Sequence, residues 1–322
     1  MYVLVSPFSK TFDDIGLTYI VPFFLQEKIH IGQIIEIPLR EAIELGVIID
    51  IYENIDTTYD ESKIKSIISI KNESIFLSNY RVILVKWIAS HYFTAIHNSI
   101  NLFFPNNLKD KIGKDKLDLI KLNNDLSETK HIYTFNHKVK LSNIQEQTLN
   151  QIQNTQKNKI LLYGLTGSGK TEIYIKLIKE YLDYGKQTLF LIPEIILTNQ
   201  LSSKIKDVFG KEVLIINSTV TDATKTKYWL SINNGISKII IGTRSALFYP
   251  YNNLGLIIID EEHDNSYISD SAPRYNTIEV AEKITELNGN KLILASGTPS
   301  IKSMYKAVKG EYELINLLKK HR

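Results

Sequence analysis

The chain has 322 residues, 43% of them hydrophobic and 23% charged, with a formal net charge of +3. That balance is ordinary for a folded water-soluble protein, no apolar run is long enough to span a bilayer as a helix, and the start Met1-Tyr2-Val3-Leu4-Val5-Ser6-Pro7 lacks the flank and length of a secretory signal. With no cysteine, disulfides and cysteine-ligated zinc are excluded within it, a cytoplasmic location fits best, and the net charge is too small to argue for a nucleic-acid partner by itself.

In chain order, Ile34-Ile35-Glu36-Ile37-Pro38-Leu39 and Leu45-Gly46-Val47-Ile48-Ile49-Asp50-Ile51 are β-branched runs and read as strands joined by a charged turn, Arg40 to Glu44. Residues 1–105 carry 8 basic and 12 acidic side chains, so any polyanion bound there must be held by placed contacts. Phe76 to His91 changes period: Val82, Val85, Ile88 and Ala89 suit a helix with one buried face. Asn106 to Lys140 mixes Lys, Asp and Asn with scattered leucines and reads as a solvated connector. The expected division is therefore 1–105, a small mainly β domain; 106–140, a connector; and 141–322, an α/β domain.

Past Leu141 the pattern alternates. Apolar runs at 160–163, 188–192, 213–216, 238–241, 256–259 and 291–295 are separated by helical stretches. Such alternation implies a parallel sheet with helices on both faces and ligands at the carboxyl ends of its strands.

The first of these strands runs into Gly164-Leu165-Thr166-Gly167-Ser168-Gly169-Lys170-Thr171, the full P-loop pattern. Glycines at 164, 167 and 169 let the backbone turn and aim its N–H groups at a phosphate chain, with Thr166 and Ser168 between them. Lys170 can reach the β- and γ-phosphates, and the Thr171 hydroxyl can ligate Mg²⁺. A helix expected over Glu172 to Leu182 turns its positive end to the same place. The chain is expected to bind ATP with Mg²⁺.

Leu256-Ile257-Ile258-Ile259 ends in Asp260-Glu261-Glu262-His263. A carboxylate at a strand tip can hold Mg²⁺ and its neighbour can orient the attacking water, so Asp260 is assigned to the metal and Glu261 to the water. His263 either couples the nucleotide site to a nucleic-acid site or is a turn histidine.

A P-loop with Asp-Glu-Glu-His resembles the superfamily 2 helicases of the DEAH type. Ile192-Pro193-Glu194-Ile195-Ile196-Leu197-Thr198-Asn199-Gln200, Ile241-Gly242-Thr243-Arg244-Ser245, Asp264-Asn265-Ser266-Tyr267, Pro273-Arg274-Tyr275 and Ser296-Gly297-Thr298-Pro299-Ser300 follow in order. Together they resemble the primosomal replication-restart DNA helicases, the PriA family, over nearly the whole chain. The resemblance implies an ATP-dependent 3′→5′ helicase built on a RecA-like lobe, preceded by a domain that binds the 3′ end of a nascent strand. It implies that Gln145 reads adenine and that Pro193, Glu194, Thr198, Gln200, Thr243, Arg244 and Ser245 line the single-strand path. Tyr267, Arg274 and Tyr275 would form the aromatic-rich loop in contact with DNA, and Thr298 and Ser300, with His263, would couple nucleotide state to strand separation. Asp13 is the candidate reader of the 3′-terminal nucleotide. Implied partners are forked or single-stranded DNA and other primosome proteins, with no membrane.

The chain also departs from the family pattern. It reaches Arg322 without a second RecA-like lobe, an arginine finger or the eight zinc-binding cysteines, so zinc is expected for the full-length family but not here. The 35 residues or so between Pro105 and Leu141 are too few for a winged helix. Asn217, Asn276, Ile278 and Gly297 replace the usual histidine, histidine, arginine and alanine, changes that bear on coupling rather than on nucleotide binding. The alternative function is an ATP-binding but catalytically inactive DNA-fork adaptor, or a truncated remnant. A small-molecule P-loop kinase is disfavoured by the ordered motifs.

Overall fold

A computed structural model describes residues 1–10, 15–55, 61–71, 77–116, 135, 140–193 and 200–318. Among them the chain forms two compact units: Met1–Leu119 with Asp270–Tyr275, and Ile120–Ser269 with Asn276–Arg322.

The first unit is built on an antiparallel sheet in the order β2-β1-β4-β3-β5, with β1 at Tyr2–Pro7, β2 at Leu17–Ile20, β3 at Ile34–Leu39, β4 at Ala42–Tyr52 and β5 at Ser69–Ile70. β3 and β4 pair from Ile34↔Val47 to Leu39↔Ala42, so the turn is only Arg40-Glu41, with Arg40 in left-handed backbone at φ 57°. The strand starts before the expected Leu45 because the hairpin closes on Ala42 and Ile43, which are exposed and cut off from the apolar run by Glu44. Val3, Val5, Tyr19, Ile35, Ile37 and Ile48 form the core beneath.

Helix α1, Asn79–His91, buries Val82, Leu84, Val85 and Ile88, with Ala89 half-buried. After α2, Ile96–Asn101, comes α3, Asn106–Gly113, where the sequence reads as solvated connector. The correction lies in two residues: Leu108 and Ile112, one turn apart, share a face and are buried. Most of the connector beyond it lies outside the described residues.

The second unit has a parallel sheet in the order β12-β6-β11-β10-β7-β9-β8. Its strands are β6 Lys159–Gly164, β7 Gln187–Leu191, β8 Val213–Ile216, β9 Ile239–Gly242, β10 Leu254–Asp260, β11 Lys291–Ser296 and β12 Glu313–Leu317. Each of the six apolar runs read from the sequence is one of these strands. β12 was not foreseen, because only Ile315 and Leu317 are buried and Leu314 and Asn316 face out. Every residue of β10 is buried, which requires cover on both faces of the sheet. That cover comes from α4 Asn143–Asn154, α5 Lys170–Asp183, α6 Gln200–Phe209, α7 Asp222–Asn233, α8 Thr277–Asn288 and α9 Ile301–Val308. No described helix is long and apolar enough to cross a membrane.

Candidate functional site

The turn from β6 into α5 carries the P-loop. Gly167 and Gly169 sit at φ 79° and 84°, a region costly to any residue with a Cβ, and Gly169 is the residue before the helix. Gly164 is required by space instead: a Cβ there would lie 3.1 Å from the Lys170 chain and 3.3 Å from Ser168 Oγ. The Ser168 hydroxyl is buried without a hydrogen-bond partner among the described residues, and a Cβ on Gly167 would meet nothing within 4 Å. An open, glycine-lined turn with an orphaned donor beneath it, at a helix start, fits a phosphate chain. Thr171 stands half-buried in the first turn of α5.

Lys170 is buried, its Nζ donating to the Gly164 carbonyl at 2.9 Å and standing 3.4 Å from Glu261 Oε1. The P-loop lysine and the acidic motif, ninety-one positions apart, therefore meet. Asp260 points elsewhere. It accepts the Tyr174 hydroxyl at 2.8 Å, and burial pushes its carboxyl up to about 6, opposed by the positive charge of Lys170 and reinforced by Glu261. Glu261 occupies left-handed backbone at φ 47°, a strained state for a non-glycine residue. That twist sends three consecutive side chains to three places: Asp260 to α5, Glu261 to Lys170, and Glu262 to α9.

Glu262 had no assigned role. It is 2% exposed, and its carboxylate accepts from the Ser300 N–H at 2.6 Å, the Ser300 hydroxyl at 3.1 Å and the Ser303 hydroxyl at 2.9 Å. Beside it, His263 Nδ1 lies 2.8 Å from Ser296 Oγ, which also accepts the Thr298 N–H at 2.9 Å, and His263 Nε2 lies 3.4 Å from Thr298 Oγ1. His263, Thr298 and Ser300 are thus brought together at the ends of β10 and β11. Tyr174 and Glu262 escaped sequence reasoning because a helix tyrosine and one carboxylate of three carry no signal of their distant partners.

Gln145 is buried. Its oxygen accepts the Ser142 N–H in a capping box, and its amide donates to the Ser168 and Gly169 carbonyls at 3.3 and 3.4 Å. It props the P-loop from α4, and reading adenine would require exchanging these bonds.

The strand-path residues fare unevenly. Thr243, Arg244 and Ser245 follow β9 and, with Ile192, Ser218 and Ser266, line a cavity of about 190 Å³. Arg244 Nη1 donates to the Ser266 and Ile268 carbonyls at 3.0 and 2.8 Å, gripping the loop after the acidic motif. Pro193 is buried. Glu194 and Thr198 lie outside the described residues, and Gln200 opens α6. Tyr267 corrects an expectation: it is 2% exposed, its hydroxyl shared between the Asp260 carbonyl at 2.7 Å and the Leu191 carbonyl at 3.1 Å. A ring holding the ends of β7 and β10 is not offered to a base. Arg274 is exposed and Tyr275 buried.

In the first unit, Asp13 lies outside the described residues. Nearby Ile15, Gly16 and Thr18 line, with Tyr19, Arg40, Tyr52, Lys63 and Lys65, a cavity of about 700 Å³. Among the described residues no cluster of three or more His, Asp or Glu could hold a metal ion.

Both units resemble known proteins. Residues 142–307 match the family model described as DEAD/DEAH box helicase, and residues 4–105 match that of a 3′ DNA-binding domain. The replication restart protein PriA of Rickettsia prowazekii (strain Madrid E) is 34% identical over 99% of this chain and 46% of its own length. That of Helicobacter pylori (strain ATCC 700392 / 26695) is 33% identical over 96% of this chain and 44% of its own. The Bacillus subtilis (strain 168) protein is 44% identical over 50% of this chain and 20% of its own. The chain thus spans about half the length of its full-span relatives. Among solved structures, RecG bound to a three-way DNA junction matches with a TM-score of 0.44 and 23% identity, over 69% of this chain and 30% of that one.

Proposed function

We propose a function from one fact: this chain belongs to the DEAD/DEAH box helicase family, and its relatives are the replication restart proteins PriA. The function is that of the ATP-binding, DNA-end-engaging part of an ATP-dependent 3′→5′ DNA helicase that acts at stalled forks, in the cytoplasm, with other replication-restart proteins. The observation that carries it is the meeting of Lys170 with Glu261 at 3.4 Å, which joins P-loop and acidic motif into one site.

In this reading the P-loop amides of Thr166 to Thr171 and the Lys170 ammonium take the phosphates. Thr171 and Asp260 would hold Mg²⁺, which neutralises the charge that builds on the phosphates. Glu261 orients the attacking water. The phosphates draw Lys170 off Glu261, and the freed carboxylate accepts a hydrogen bond from the attacking water and then its proton. Hydrolysis at full rate is expected to need an arginine from a second lobe, worth orders of magnitude in such enzymes, so residues 1–322 taken by themselves should bind ATP and turn it over slowly. The domain of residues 4–105 captures the 3′ end through its cavity, where Arg40, Lys63 and Lys65 offer cationic contacts in a segment that is otherwise net acidic.

The test is a pair of titrations on residues 1–322. ATP·Mg²⁺ should bind, and a fork with a 3′-hydroxyl should out-compete the same fork with a 3′-phosphate. Absence of ATP binding overturns the nucleotide reading, and equal affinity for both ends overturns end recognition. Binding without any turnover, even with a relative's second lobe added, would instead favour the inactive fork adaptor.

A further inference from the structure

Glu262 is one of the most buried carboxylates of the second unit, and its hydrogen bonds go to the end of β11 and the start of α9. Its backbone N–H donates to the Ala295 carbonyl at 3.1 Å, fastening the end of β10 to β11. Its side chain closes three bonds onto Ser300 and Ser303. Ser300 is the N-cap of α9, accepting the Ser303 N–H at 3.2 Å, and the carboxylate takes the N–H of that cap residue at the positive end of the helix. Charge-assisted bonds of this kind, out of water, are the strong ones. Only Glu261, in left-handed backbone at φ 47°, separates this latch from Asp260. On its other side α9 presents Ile301, Tyr305 and Val308, exposed at 91%, 58% and 76%.

We propose that Glu262 is a positioning residue: it latches α9 to the acidic motif, so that nucleotide arriving at Asp260 and Glu261 resets the helix and its apolar stripe. The inference rests on the nucleotide reading above. It also separates two routes out of the site. His263 reaches Ser296 and Thr298, and Glu262 reaches the helix itself.

The experiment is amide hydrogen exchange across residues 300–308 of the full chain, with and without a non-hydrolysable ATP analogue and Mg²⁺, alongside a direct affinity titration. In the wild type the analogue should change exchange there by about tenfold. Glu262→Ala should lose that response while nucleotide affinity stays within about threefold. Glu262→Gln, which still accepts the Ser300 N–H, should restore much of it. Ser303→Ala, which removes one of the three bonds, should reduce it partway, and serves if Glu262→Ala does not fold. A merely structural cap would raise exchange equally with and without nucleotide. An unchanged response in Glu262→Ala or in Ser303→Ala, or no response in the wild type, overturns the latch. The titration tells that failure apart from a failure to bind nucleotide.

Discussion

The hydroxyl of Tyr174 donates to Asp260 Oδ1 at 2.8 Å, joining the helix that leaves the P-loop to the strand that carries the acidic motif. The ring itself is wholly buried and packs edge-on against Phe190 at 5.3 Å. Tyr174→Phe keeps that packing and removes only the donor. It should destabilise the chain by about 1–3 kcal/mol, the cost of a buried acceptor left short of a bond. Urea unfolding at pH 8 checks this, and a loss under about 0.5 kcal/mol would show that Asp260 finds another donor.

Asp260 titrates near 6 in the fold and near its ordinary 3.8 when unfolded. A raised folded value means the native state binds the proton more readily, so this group favours folding at low pH. That advantage is lost as pH rises from about 4 to 6, and above 6 the buried charge is a standing cost on the order of 2–3 kcal/mol. Asp260→Asn should therefore raise the urea midpoint at pH 8 and lose that gain at pH 4. Equal shifts at both pH values would contradict the burial argument. In the same window, Mg²⁺-dependent nucleotide affinity should fall below pH 6, because proton and metal compete for one carboxylate.

Lys170→Ala should weaken ATP binding by more than about tenfold with the fold intact, since no other described cation stands in the turn. Glu261→Gln should leave affinity unaltered or slightly raised, because it frees Lys170 from a competing anion at 3.4 Å. The decisive comparison is with Asp260→Asn in the presence of Mg²⁺. If Glu261→Gln loses as much affinity, the division between metal ligand and water orienter is wrong.

Two glycines should behave oppositely. A Cβ on Gly297 would meet its neighbours at 3.5 Å or more, with an unstrained backbone, so Gly297→Ala should be neutral or stabilise by about 0.4–1 kcal/mol. A Cβ on Gly242 would fall 2.6 Å from Ala246 Cβ and 2.8 Å from the Ile216 carbonyl, and Gly242→Ala should cost about 1–3 kcal/mol. Thermal melts of both variants check the pair.

Local patterns carried most of what could be read in advance. Residues 160–171 announce both a strand and its loop, because the chemistry of a phosphate turn is contained in eight consecutive positions. The six strand runs were legible because buried parallel strands are apolar throughout. What escaped was set by distant partners. Tyr267 looks like any aromatic in a polar loop until Leu191 and Asp260 present their carbonyls to it. Glu262 is indistinguishable from Glu261 until Ser300 and Ser303 arrive. The helix Asn106–Gly113 hid among lysines because two apolar residues suffice to seat it.

The strand order holds a consequence for how the molecule is made. β6 is the first strand of its sheet to leave the ribosome, yet both its neighbours come from much later in the sequence: Ile160 lies between Ile293 and Glu313. The Leu165 N–H at the mouth of the P-loop waits for the Leu317 carbonyl. During synthesis the nucleotide-carrying strand is therefore an open edge, apolar on both faces, until the last of its partners emerges. Such long-range parallel pairing folds slowly and exposes sticky intermediates. A nascent chain arrested before Lys291 should recruit holding chaperones through Ile160–Leu162, and the site can begin to select for ATP only after Leu317 has emerged.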